Sequence, residues 1–177
     1  MVNKKSMMKV NLCESLRGLM LKRPFEKITI KNICDETGVI RATFYNHFED
    51  KYDCLNAIIY EDIHEAQSHS NNDHHELIKC FINNLEENRE FYKIAYRVEG
   101  QNSFKDMMID NIAIVINDNI TKRRNDYLKD EFNNLFISRY YATMIELYVH
   151  ECIFSTNPIN FDRLNKLLKS SFSDFIK

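Results

Sequence analysis

A chain of 177 residues with 44% hydrophobic and 28% charged side chains is too apolar to stay disordered, and no run in it approaches the ~18 apolar residues of a membrane span. Its three glycines and two prolines starve the turns that a sheet-rich fold needs, so composition favours an all-α fold. The formal net charge of −2 conceals an asymmetry: residues 1–31 hold eight basic side chains against two acidic ones, a net of +6, which leaves −8 on the remainder. A basic end on an acidic body suits a protein that meets a polyanion with one end, although a solvated helix face gives the same count.

The five cysteines (Cys13, Cys34, Cys54, Cys80 and Cys152) are odd in number and contain no C-x-x-C pair. They are expected to be reduced, mostly buried thiols of a cytoplasmic protein. Lys4, Lys5 and Lys9 lead into an amphipathic segment and not into an apolar block, so no signal peptide is expected.

In chain order, Val10, Leu12, Cys13, Leu16 and Met20 mark a first helix over 7–21, ended by Arg23-Pro24 because a residue before proline is pushed out of the α region. Thr29 is the expected N-cap of a short second helix with Ile30, Ile33 and Cys34 inward, and Gly38 is the expected stop, in the left-handed conformation just past the helix end. A third helix begins at about Arg41 and carries Phe44, Tyr45 and Phe48. Asp50 offers an N-cap to a fourth, with Leu55, Ile58, Ile59 and Ile63 on its buried stripe.

The polar run 69–73 is the expected break between head and body. Beyond it, 75–96 reads as one helix, 99–103 as a turn with Ser103 as a cap, and 104–127 as another helix. Residues 135–154 are apolar on nearly every side, and a helix of that kind needs two partners. Asn157-Pro158 breaks the chain before a last amphipathic helix at 160–176. The domains are therefore placed at 1–52, extending into a connecting helix to about 68, and at 69–177.

Short helix, glycine-containing turn and short helix over 28–48 form a helix-turn-helix, in which the second helix enters the major groove of DNA and the first crosses the backbone. From physical chemistry, Arg41, Ala42, Thr43 and Asn46 are the candidates for reading bases, since Arg matches guanine, Asn matches adenine and a small residue allows close approach. Thr29, Tyr45, His47 and Lys51 are the candidates for gripping phosphates. Phe44 and Phe48 are read as the apolar seat of the recognition helix.

Over about residues 8–60 the elements T-I-x-x-I, G-V, T-F-Y-x-H-F and D-K fall in order, and the sequence there closely resembles the TetR/AcrR family of bacterial transcription regulators. The body offers no comparably sharp match. Ile40 departs from the pattern, standing where most members carry Ser or another N-cap, a loss worth ~1 kcal/mol. Either the recognition helix starts differently, which is the expectation, or Ile40 touches a thymine methyl.

The resemblance implies an N-terminal three-helix head on a helical ligand-binding and dimerising body, and a homodimer on a palindromic operator. The expected interface residues are Tyr140, Met144, Leu147, Tyr148, Leu164, Leu168 and Phe172. A ligand pocket would draw on Tyr92, Tyr96, Arg97, Phe104, Met108, Tyr141 and Met144, with Arg97 holding an anionic group; as single residues these fit a plain core equally. The implied function is a repressor released by a small ligand, the alternative being a body that binds a partner protein or a metal ion, or an activator.

No cofactor is expected. His64, His69, Asp73, His74 and His75 cluster in sequence as zinc ligands could, but histidines in a polar loop are usually solvated, and no metal is assigned. An enzyme is not expected: a Gly-rich phosphate loop, a nucleophile elbow and a helical H-E-x-x-H are all missing.

Overall fold

A computed structural model of the chain describes residues 4–70, 74–123 and 131–155, together with 160, 162–164 and 166. Among the described residues every regular element is helical: α1 (Lys4–Met20), a 3-10 turn at Phe25–Lys27, α2 (Ile30–Thr37), α3 (Arg41–Tyr45), α4 (Lys51–His69), α5 (His74–Glu87), α6 (Arg89–Ala95), α7 (Phe104–Arg123) and α8 (Glu131–Phe154). The all-α expectation holds, and the helix ends follow from local chemistry. Asp50 caps α4, its Oδ1 accepting from the amides of Tyr52 at 2.7 Å and Asp53 at 2.9 Å. Ser103 does the same for α7, its Oγ accepting from the Asp106 amide at 3.1 Å.

The single helix expected over 75–96 is two helices, broken at Asn88. The Asn88 side-chain amide donates to the Asn84 carbonyl at 3.0 Å, the acceptor that also takes the Asn88 backbone N–H at 3.0 Å. An Asn side chain competing for helix carbonyls in this way favours termination over propagation.

The chain divides into two compact units, one of Met1–Glu61 with Glu90–Met107, the other of Asp62–Arg89 with Met108–Lys177. This differs from the boundary expected near the polar run at 69–73, because α6 and the turn after it belong with the helix-turn-helix. The guanidinium of Arg17 lies 4.6 Å from the centroid of the Phe91 ring, and Phe91, Tyr92 and Ala95 of α6 are buried.

The core of this first unit contains Leu12, Leu16, Met20, Phe25, Ile28, Ile33, Phe44, Phe48, Leu55, Ile58 and Ile59, all buried. Val10, expected inward, lies on the exposed side of α1, and Leu19 joins the expected Leu12, Cys13, Leu16 and Met20 in the buried stripe.

In the second unit, α8 buries Tyr141, Ala142, Ile145, Glu146, Val149 and Ile153. Arg89 links the two chain segments of this unit, donating to the carbonyls of Cys152 and Ser155 at the end of α8 while pairing with Glu86 at 2.8 Å. Last-turn helix carbonyls lack intrahelical partners, so a cation placed there satisfies them and meets the negative end of the helix dipole. Arg139 of α8 forms an ion pair with Asp110 of α7.

Candidate nucleic-acid interface

The helix-turn-helix is built by three local devices. Thr29, in extended conformation, opens α2 with a reciprocal capping box: its Oγ1 accepts from the Asn32 amide at 3.2 Å, and its own amide donates to Asn32 Oδ1 at 3.0 Å. Sequence reasoning found Thr29 but passed over Asn32; the T-x-x-N spacing was the available signal, since a polar acceptor three residues after the cap closes such a box. Gly38 then ends α2 at φ 75°, a conformation that costs glycine little. Its position matches the expected stop, and the Val39 amide donates back to the Cys34 carbonyl at 2.9 Å.

The third device seats α3. Phe44 is fully buried and Phe48 nearly so, their rings 5.6 Å apart between centroids. Anchoring these two leaves the rest of a five-residue helix little freedom, and it fixes which side chains face out. Arg41, Ala42, Tyr45 and Asn46 are exposed, while Thr43 and His47 are half-buried. The Tyr45 and Phe44 rings form a T-shaped pair with centroids 5.7 Å apart, while Tyr45 as a whole stays exposed.

Helix α3 starts where expected, at Arg41, with Ile40 in the N-cap position at φ −84° and ψ 156° and no side-chain cap. The expectation that an isoleucine here moves the helix start is therefore wrong: the Ile40 carbonyl accepts the Thr43 amide at 2.9 Å, a tight 3-10-type bond that opens the helix without a side-chain cap. Backbone geometry suffices to begin the helix, and the side chain is left 72% exposed.

Lys51 departs from the phosphate role expected of it. Its ammonium donates to the carbonyls of Phe25 at 2.8 Å, Ile28 at 3.1 Å and Glu26 at 3.4 Å, and it sits 4.4 Å from the centroid of the Phe25 ring. Three acceptors match the three N–H bonds of an ammonium. Burial pushes the Lys51 ammonium down from the ordinary lysine value, with Glu26 and Asp50 offsetting part of the shift. Its geometry gives it the task of fastening the 3-10 turn before α2 to the start of α4, and so of holding the helix-turn-helix closed.

The residues expected to form a ligand pocket fall in both compact units. In the first, Phe104 is buried with Tyr92, centroids 6.0 Å apart, and packs edge-on against Tyr96 at 5.1 Å, while Arg97 is exposed. In the second, Met108 and Tyr141 are buried and Met144 is half-buried.

Of the expected interface residues, Tyr140 and Leu147 are exposed. Tyr148 is half-buried, its hydroxyl donating to the Asn160 carbonyl at 2.7 Å, and Leu164 is buried within the chain. Leu168 and Phe172 lie outside the described residues, as do the side chains of Asp73, His74 and His75 from the histidine cluster. His69 is turned onto its own helix, its Nδ1 2.8 Å from the Glu65 carbonyl.

A short helix with two buried aromatic anchors, presenting Arg, Ala, Tyr and Asn outward after a glycine turn, defines the class of helix-turn-helix transcription regulators. Residues 14–58, the segment that holds the helix-turn-helix, match the model of the bacterial regulatory proteins of the tetR family.

The HTH-type dhaKLM operon transcriptional activator DhaS of Lactococcus lactis subsp. lactis (strain IL1403) is 25% identical over 154 residues, spanning 84% of this chain and 80% of the relative. Among solved structures, the dihydroxyacetone kinase operon activator DhaS superposes with a TM-score of 0.65 at 21% identity, over 93% of this chain and 95% of the other. A TetR transcriptional regulator from Streptococcus agalactiae 2603V gives 0.61 at 14%, over 93% and 92%. These two structures extend the likeness in fold beyond the head to most of the body. The relatives are regulators and not enzymes.

Proposed function

We propose that the chain acts as a homodimer on a palindromic DNA operator, as a repressor released when a small ligand binds the body. The exposed edge of α3 carries this reading: Arg41, Ala42 and Asn46 stand out from a helix whose Phe44 and Phe48 are locked in the core. Base-edge readers belong on such a rigid support, with Arg suited to guanine, Asn to adenine and Thr29 and Tyr45 to flanking phosphates. The dimer is supported by α8, whose outward Leu135, Phe136, Tyr140, Leu147 and Phe154 are 49% to 65% exposed; a second copy of the same face would cover them. Two recognition helices ~34 Å apart would then meet successive major grooves.

Selection of bound sequences from random DNA tests this. A palindromic site is expected, and Arg41→Ala should bind the pool with relaxed preference at one position of each half-site. Failure to enrich any sequence at moderate salt would overturn the proposal. The name of the Lactococcus relative favours a second reading, activation. Reporter transcription with the selected site upstream of a promoter separates the two, rising with the protein for an activator and falling for a repressor.

A further inference from the structure

Ile40 is the most exposed large hydrophobic side chain among the described residues, at 72%. It occupies the N-cap of the recognition helix, where Ser, Thr, Asp or Asn would accept an amide hydrogen bond and Ile cannot. The position thus forgoes a cap and leaves a branched apolar side chain in water, two unfavourable local choices with nothing inside the free chain to offset them. Local rules broken without an internal gain mark positions whose benefit lies in a bound state. The neighbours indicate which one: Arg41 and Ala42 follow directly and are exposed with it.

We infer that Ile40 is a specificity-determining residue that packs on the C5-methyl group of a thymine in the operator. This rests on the proposed DNA binding and adds to it a base and an atom. The major groove presents hydrogen-bonding groups at every base edge and one apolar feature, the thymine methyl. An isoleucine placed against the amino group of cytosine or adenine would strip it of water without returning a hydrogen bond, so Ile40 both favours thymine and disfavours the alternatives.

The test replaces each thymine of one half-site of the selected operator with uracil, which deletes the methyl and alters no Watson–Crick edge. Binding of the full chain is then measured by fluorescence anisotropy at fixed salt. Loss of one buried methyl predicts a roughly four-fold weakening at a single thymine for the wild-type chain. Ile40→Ser should abolish that sensitivity while melting no lower than wild type, since serine restores the cap. Equal uracil responses in the two proteins at every position would overturn the inference while leaving DNA binding intact. Absence of any selected operator would overturn the proposed function and this inference together.

Discussion

At the scale of single residues, two cations near the turn are placed differently. Arg41 is exposed, as the base contact proposed for it requires, whereas Lys51 donates to three carbonyls of residues 25–28. Lys51→Ala should therefore lower the stability of the head by roughly 1–2 kcal/mol, through carbonyls left without their donor. Chemical denaturation would read this, and an unchanged midpoint together with a shallower salt dependence of DNA binding would return Lys51 to the phosphate role.

The buried thiols give a pH dependence. Burial pushes Cys34 above the ordinary 9.0, with Arg41 partly opposing and Asp35 adding to the rise. Cys54 is raised as well, first by its hydrogen bond with Cys13 and then by burial. Thiols of the unfolded chain ionise at about pH 9 while the folded ones keep their protons, so stability is full below that pH and declines above it. Melting curves from pH 7.5 to 10 should be flat to ~8.5 and then fall, and Cys34→Ala should reduce the slope.

At the scale of elements, α8 explains why its sequence is apolar on nearly every side. One face, from Tyr141 through Ile153, is buried in its own unit, and another, from Phe136 through Phe154, is left open. Leu147→Glu puts a charge on the open face without disturbing the buried one. Sedimentation should then show monomers at micromolar concentration with helicity retained; a persistent dimer would place the interface elsewhere. The end of the same helix depends on Arg89, which bonds the Cys152 and Ser155 carbonyls. Arg89→Ala should cost about 2 kcal/mol, read as a lowered melting temperature, whereas Arg89→Lys should recover part of it because Lys supplies charge without the guanidinium fork.

At the scale of the whole chain, residues 90–107 pack with the helix-turn-helix although they follow α5 in sequence. A chain truncated near residue 68 would lack Phe91, Tyr92 and Ala95 from its core and should melt well below the intact protein; equal melting temperatures would mean that the head is self-sufficient. The helix-turn-helix itself was legible in the sequence because its devices are local: a cap, a glycine and two aromatics lie within twenty residues and act through chain geometry. Thr29, Gly38, Phe44 and Asp50 could thus be assigned from their chemistry. The acceptors of Lys51, the break at Asn88 within an unbroken apolar pattern and the partnership of α6 with α1 could not. Lys51 reaches back 23 to 26 residues and Arg17 meets a ring 74 residues away, and a charge pattern does not say whether a cation faces solvent or a distant carbonyl. Sequence by itself determined the helices of the head; tertiary structure decided that Lys51 is engaged with distant carbonyls while Arg41 stays exposed, because only packing brings distant acceptors within hydrogen-bonding distance.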